Sequence, residues 1–242
     1  MPEPRPVSAR DDHAAWREER RRSVTAPTGN LALVETRWLP HGEQPDVAAE
    51  YAGAPASVTV TELTRSDIDT GETQHGLRFW DADAPAVRAF DEIDTFEYDP
   101  EWVIEAQFTP VAADRTVPFE HIRDNGGTRD LVVPGDITFS RDGTRYTFAA
   151  FDDGGRLLLV FGDPTNGRED EAGTYGAGRF MFVQRASTSH GFGDAGPVTL
   201  DFNRAFVPPC GFSHAYNCPM PPPQNRFAVP VTAGEKNIIW RN

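Results

Sequence analysis

The chain has 242 residues, a hydrophobic share of 38% and a formal charge of −14 at pH 7. That length is enough to bury one ordinary core, while the charge argues against nucleic acid, whose binding by counterion release needs a basic face. An anionic membrane surface is disfavoured on the same ground, and no window approaches the roughly 20 apolar residues of a membrane span.

The opening "MPEPRPVSARDDHAAWREERRR" carries no apolar h-region, so no secretory leader is expected. The expected location is the cytoplasm, where Cys210 and Cys218 would be thiols rather than a disulfide. "DDHAAWREERRRSV" predicts a helix with Asp11 or Asp12 as its cap and Trp16 as its main apolar anchor. "GEQPDVAAEYAGAPA", residues 42–56, reads as a linker. "LALVETRWL", "SVTVTELT", "GLRFWD" and "WVIEAQF" are β-branched, aromatic and mostly alternating, which predicts strands.

Residues 136–163, "DITFSRDGTRYTFAAFDDGGRLLLVFGD", predict a three-stranded meander. Asp142-Gly143 suits a mirror-image hairpin turn, which needs positive φ, and places Ile137 and Phe139 inward beside Tyr146 and Phe148. "GRFMFV" and "GPVTLDF" add strands, and "RFAVPV" with "NIIW" predicts a closing pair. About ten to twelve short strands make the chain mainly β: a single β-barrel-like or two-sheet antiparallel domain with an N-terminal helix. Residues 1–30 are read as a helical arm and 31–242 as the all-β domain.

The richest stretch for chemistry is "LDFNRAFVPPCGFSHAYNCPMPPPQNRF", residues 200–227, which holds both cysteines. Cys210, His214 and Cys218 offer three zinc ligands, with His190 or Asp201 as a fourth, but the spacing lacks the tight cysteine pair of a structural site, and no metal is assigned. Cys210 is the candidate nucleophile of a thiol enzyme, with His214 or Arg204 as its activating neighbour. The prolines favour polyproline II and a stiff strap over the end of a barrel. The acidic loop of Asp163, Glu169, Asp170 and Glu171 departs from the EF-hand pattern and reads as solvated. Lys236, the only lysine, invites a Schiff-base role, against which stands simple compositional bias toward arginine. "EHIRDN", residues 120–125, sets a histidine among carboxylates in what reads as a turn; neither a nucleophile elbow nor a zincin helix occurs.

Arg179 enters an apolar strand, so its guanidinium must find a carboxylate or face a cavity. Asp201 and Asn203 share one face of a strand end and Arg204 takes the other, which makes Asp201 the expected partner of Arg179. These four residues are the candidate lining of a pocket for a small polar or anionic ligand.

"TYGAGRF", "LDFNRAFVPPC", "NCPMPPPQNRF" and "AGEK", in this order, resemble the bacterial DUF1684 family. The resemblance runs from "WREERRR" to "GEK" and implies no activity. It singles out Asp163, Thr165, Tyr175, Arg179, Asp201, Asn203, Arg204, Cys210, Cys218, Asn225 and Glu235, and so adds Asp163, Thr165, Tyr175 and Asn225 to the candidate ligand-binding set. Gly173 departs from the acidic residue that usually precedes the Thr-Tyr step, and His214 lies outside the pattern, which weakens the calcium and zinc readings. The leading expectation is a β-barrel-like binding protein of unassigned activity and unknown cofactor, with no nucleic-acid or membrane partner. A thiol-dependent or metal-assisted hydrolase is the alternative, and a structural module dimerising through its arm is the third reading.

Overall fold

The computed structural model describes residues 8–66, 71–120, 128–185 and 191–241. Its first element is the expected helix, α1 (Ala9–Thr25). The cap is Ser8, not Asp11 or Asp12: Ser8 Oγ accepts the Asp11 N–H at 3.1 Å and donates to Asp11 Oδ2 at 2.7 Å. This is a serine N-cap whose hydroxyl is held in place by the aspartate of the first turn. A hydroxyl one residue ahead of the helix faces the orphan N–H groups, whereas Asp11 lies already inside the first turn. Ser8→Ala is therefore expected to cost about 1 kcal/mol, read as a lower urea midpoint at unchanged slope.

The chain divides into two compact units. One takes the residues up to Trp16 with Ile93–Pro208 and Asn217–Ile238; the other takes Arg17–Glu92, Pro209–Tyr216 and the chain from Ile239. The second, smaller unit is built on β1 (Leu33–Trp38), β2 (Val58–Ser66) and β3 (Thr73–Asp81), an antiparallel sheet in the order β1-β3-β2. Its core is Ala32, Leu33, Trp80 and Ala215, with Tyr216 packed against them. The stretch read as a linker contains a short helix, α2 (Val47–Tyr51), capped by Asp46, whose side chain accepts the Ala49 N–H at 3.0 Å. A second short helix, α3 (Pro85–Ala89), opens on a proline, where the missing N–H has no intrahelical partner to lose.

β4 (Phe90–Thr95) follows, and then the strands of the larger unit: β5 (Val103–Pro110), β6 (Thr116–Glu120), β7 (Thr128–Val132), β8 (Gly135–Arg141), β9 (Thr144–Asp152), β10 (Leu157–Phe161), β11 (Arg179–Phe182), β12 (Gln184–Arg185) and β13 (Gly196–Asp201). Seven of them form one sheet in the order β11-β10-β9-β8-β5-β13-β12. Its two edge strands, β11 and β12, are separated in sequence by Val183 alone, so one continuous run of chain pairs with both ends of the sheet. That connection is possible only if the sheet curls nearly closed, as a barrel does.

The meander is as expected. Asp142 and Gly143 take positive φ (50° and 77°) between Arg141 and Thr144, which face each other in register. Ile137 pairs with Phe148 and Phe139 with Tyr146 across β8 and β9, and all four are buried. With Trp102, Phe161 and Phe202 they fill the barrel as an aromatic core, joined by aliphatic residues of β5, β10 and β13. Phe139 and Phe148 meet edge to face at 5.2 Å between centroids, the arrangement that the ring quadrupole favours.

The chain end departs from expectation. "RFAVPV" forms no strand; Arg226 makes a single parallel bridge with Gly162, and Pro230 lacks the N–H a ladder would need. The last strand, β14 (Glu235–Trp240), pairs instead with β4, a strand that the sequence did not announce. The smaller unit also contains the one-turn helix α4 (Pro209–Phe212), and the following Ser213 donates from Oγ to the Leu33 carbonyl at 2.5 Å. Among the described residues no helix is long and apolar enough to cross a membrane.

Candidate functional site

Arg179 is the largest fully buried side chain among the described residues. The first three residues of β11 are all buried, Arg179 among them, and such a guanidinium must be both neutralised and hydrogen-bonded. Asp163, just after β10, supplies the charge: its Oδ2 accepts from Arg179 Nη2 at 2.8 Å with both side chains fully shielded. Three carbonyls complete the cradle. Nη2 also donates to Val231 at 2.8 Å, and Nη1 donates to Ala233 at 2.6 Å and Glu235 at 3.3 Å. Nε is left without an acceptor, while Cζ sits 5.3 Å from the centre of the Phe161 ring. Burial lowers the pKa of this guanidinium from the ordinary arginine value, opposed by the charge and hydrogen bond of Asp163 and by the charge of Glu235.

The expected Arg179–Asp201 pair is therefore corrected to Arg179–Asp163. Asp201 is engaged locally, where its Oδ1 accepts the Asn203 N–H at 3.1 Å and caps the one-turn helix Phe202–Arg204. Asp163 makes the same turn, accepting at Oδ1 from Thr165 N at 2.9 Å and Thr165 Oγ1 at 2.6 Å, but its second oxygen faces Arg179. Thr165 continues the network to Thr174 Oγ1 at 2.8 Å. Glu235 closes it from β14, accepting the Val207 N–H at 2.7 Å.

Two buried asparagines act alike. Asn225 Oδ1 accepts from Ala149 N at 2.8 Å, while its Nδ2 donates to the carbonyls of Ala149 at 2.8 Å and Val160 at 2.9 Å. Strands β9 and β10 pair only at Leu157–Asp152 and Leu158–Phe151, and the carboxamide takes the place of a peptide farther along. Asn203 grips Asp99 in the same two-handed way, at 2.8 Å from its N–H and 2.9 Å to its carbonyl. The Asn203 carbonyl also bonds the buried His13 Nε2 at 2.9 Å. Phe227, two residues after Asn225, inserts its ring among Tyr146, Phe148 and Phe202 at 4.9, 5.1 and 5.3 Å. The proline-rich stretch from Asn217 to Phe227 is thus a strap that reaches into the barrel through these two side chains.

The remaining expected residues are scattered. Arg204 is partly exposed and paired with Asp12 and Asp201. Tyr175 is partly buried, its N–H donating to the Lys236 carbonyl at 2.9 Å. Lys236 forms an ion pair with Asp94 at 2.6 Å. Cys210 is half-buried in the smaller unit and Cys218 buried in the larger, and both are thiols. Among the described residues no group of three or more His, Cys, Asp or Glu side chains could hold a metal ion. His190 and most of the 120–125 turn lie outside the described residues.

One residue was missed. Arg78, in the middle of β3, stands directly opposite Thr36 of β1 and Thr61 of β2. Its Nε is buried without a hydrogen-bond partner, and so is Thr36 Oγ1. No carboxylate among the described residues pairs with its guanidinium; Tyr216 and Trp80 stand at 5.3 and 5.9 Å from Cζ instead. An arginine in an alternating strand reads as a solvated position, so nothing in the local sequence marks it.

Fold and network together define a barrel-like β protein fastened by a buried arginine cluster and a strap. The chain belongs to the DUF1684 family, described as a protein of unknown function, whose model matches residues 88–236. Among solved structures it is similar to the solution NMR structure of an uncharacterized protein of Haloarcula marismortui. The two are 30% identical, with a TM-score of 0.47, over 61% of this chain and 77% of that one. No curated protein matches the chain.

Proposed function

We propose that this is a binding protein for a small anionic ligand, with the barrel as its scaffold. The observation that supports this reading is the distribution of arginine partners. Arg179 is neutralised by Asp163, Arg115 forks onto both oxygens of Asp136 at 2.5 Å, and Arg37 lies between Glu35 and Glu50. Arg204 is likewise held by Asp12 and Asp201. Arg78 is the contrast: a half-buried guanidinium kept from carboxylates in a chain of net charge −14. With so many carboxylates at hand, an arginine whose neighbours are aromatic rings remains suited to an anion from outside.

The test is thermal unfolding across a panel of inorganic and carboxylate anions at constant ionic strength. A ligand that binds the folded state raises the midpoint in a saturable way, while screening alone acts on every salt equally. A saturable rise with one class of oxyanion is expected. A response indistinguishable from chloride across the panel would remove the binding reading and leave a structural module.

A further inference from the structure

The smaller unit presents three polar side chains abreast on one face of its sheet. Thr36, Arg78 and Thr61 are cross-strand neighbours in register, and each step between adjacent strands is about 4.8 Å. Thr61 Oγ1 accepts the indole N–H of Trp80 at 2.8 Å, so its own proton remains to be donated. Thr36 Oγ1 and Arg78 Nε are shielded from solvent and bonded to nothing among the described residues. Tyr216 and Trp80 flank the guanidinium. Rings beside a guanidinium leave its in-plane N–H edges for an acceptor.

From this juxtaposition we infer that Arg78, Thr36 and Thr61 form a binding site for a tetrahedral oxyanion, a phosphate group. This rests on the proposed anion binding and assigns it a place and a chemical class. Two phosphate oxygens take the Nη1 and Nη2 edge of the half-buried guanidinium and a third meets a threonine hydroxyl. A carboxylate is planar and has only two oxygens, so with both on the arginine it has no third oxygen to set against the hydroxyls, as a tetrahedral group has. Arg78, Thr36 and Thr61 all lie before residue 88, where the family match begins.

The experiment follows the arginine Nε–Hε signals of the full chain by NMR during titration with inorganic phosphate. Arg78 is assigned by the signal missing in Arg78→Gln, and sodium chloride at equal ionic strength and sodium acetate serve as comparisons. The Arg78 signal should move saturably with phosphate and not with chloride, and Thr36→Val should weaken phosphate by about tenfold, the worth of one charge-assisted hydrogen bond. A response to acetate equal to that to phosphate would overturn the tetrahedral preference. An unmoved Arg78 signal, with phosphate still raising the unfolding midpoint of Arg78→Gln, would overturn this site and leave anion binding elsewhere. With no signal moving and no anion raising the midpoint, both readings fall.

Discussion

Asp163→Ala is expected to destabilise the protein by about 3–5 kcal/mol, the usual cost of removing one partner from a buried ion pair. Typical domains have about 5–15 kcal/mol in all, so the variant would unfold at markedly lower urea. The reason is the number of groups that lose an acceptor together: Arg179 Nη2, the Thr165 N–H and hydroxyl, and the Val231 N–H at 3.2 Å. Asp163→Asn separates charge from shape. It fills the same volume, yet it either turns an NH2 group toward Arg179 or takes an acceptor from Thr165, and in both cases the buried positive charge loses its counter-charge. The double variant Asp163→Ala/Arg179→Met should lose less than the sum of the single losses, because the uncompensated charge is gone. It should not return to wild type, because the carbonyls of Val231, Ala233 and Glu235 would then lack their donor. Equilibrium urea unfolding of the four proteins measures the coupling. If Asp163→Ala stayed within about 0.5 kcal/mol of wild type, as a neutral surface change does, the cluster would not be what fastens the barrel.

How far this cluster could be read from the sequence follows from what each signal depends on. The meander was legible because alternation and an Asp-Gly turn are local: Asp142 and Gly143 fix the register that buries Phe139 and Phe148. The fate of Arg179 was legible in kind, since an arginine in an apolar strand has few solutions. Its partner was not, because Asp163 and Asp201 each make the same turn with the residue two positions on. Only the fold decides which carboxylate has an oxygen left over. The pairing of β4 with β14 joins segments some 140 residues apart in sequence and leaves no local trace. The two asparagines are the same case. Asn203 bonds the backbone of Asp99 and Asn225 that of Ala149 and Val160, and a backbone target has no side-chain identity to recognise. Arg78 was hidden for the opposite reason, because its surroundings in the sequence are those of an ordinary exposed strand position.

Asn225→Leu is expected to cost about 3 kcal/mol or more, although leucine is apolar and similar in size. Three backbone groups would be left without their partner in a dry interior: the Ala149 N–H and the carbonyls of Ala149 and Val160. Each such loss is worth about 1–3 kcal/mol. The neighbouring Phe227 anchor depends on the same stretch of chain, so the strap should loosen locally before the barrel unfolds. Hydrogen exchange at the Ala149 amide reads this directly, as lost protection beyond the change in global stability. Asn225→Asp gives the control with packing held constant. One oxygen still accepts from Ala149, but the other faces two carbonyl oxygens unless the carboxyl group carries a proton. Burial and those carbonyls both favour the protonated form, which raises the folded-state pKa above the unfolded value of about 3.9. The folded state then holds more protons than the unfolded one, so the variant's stability relative to wild type is greatest below that pKa and falls as pH rises through the folded-state value. Unfolding curves of Asn225→Asp and wild type that stay a fixed distance apart from acid to neutral pH would mean that the carboxamide does not replace a peptide between β9 and β10.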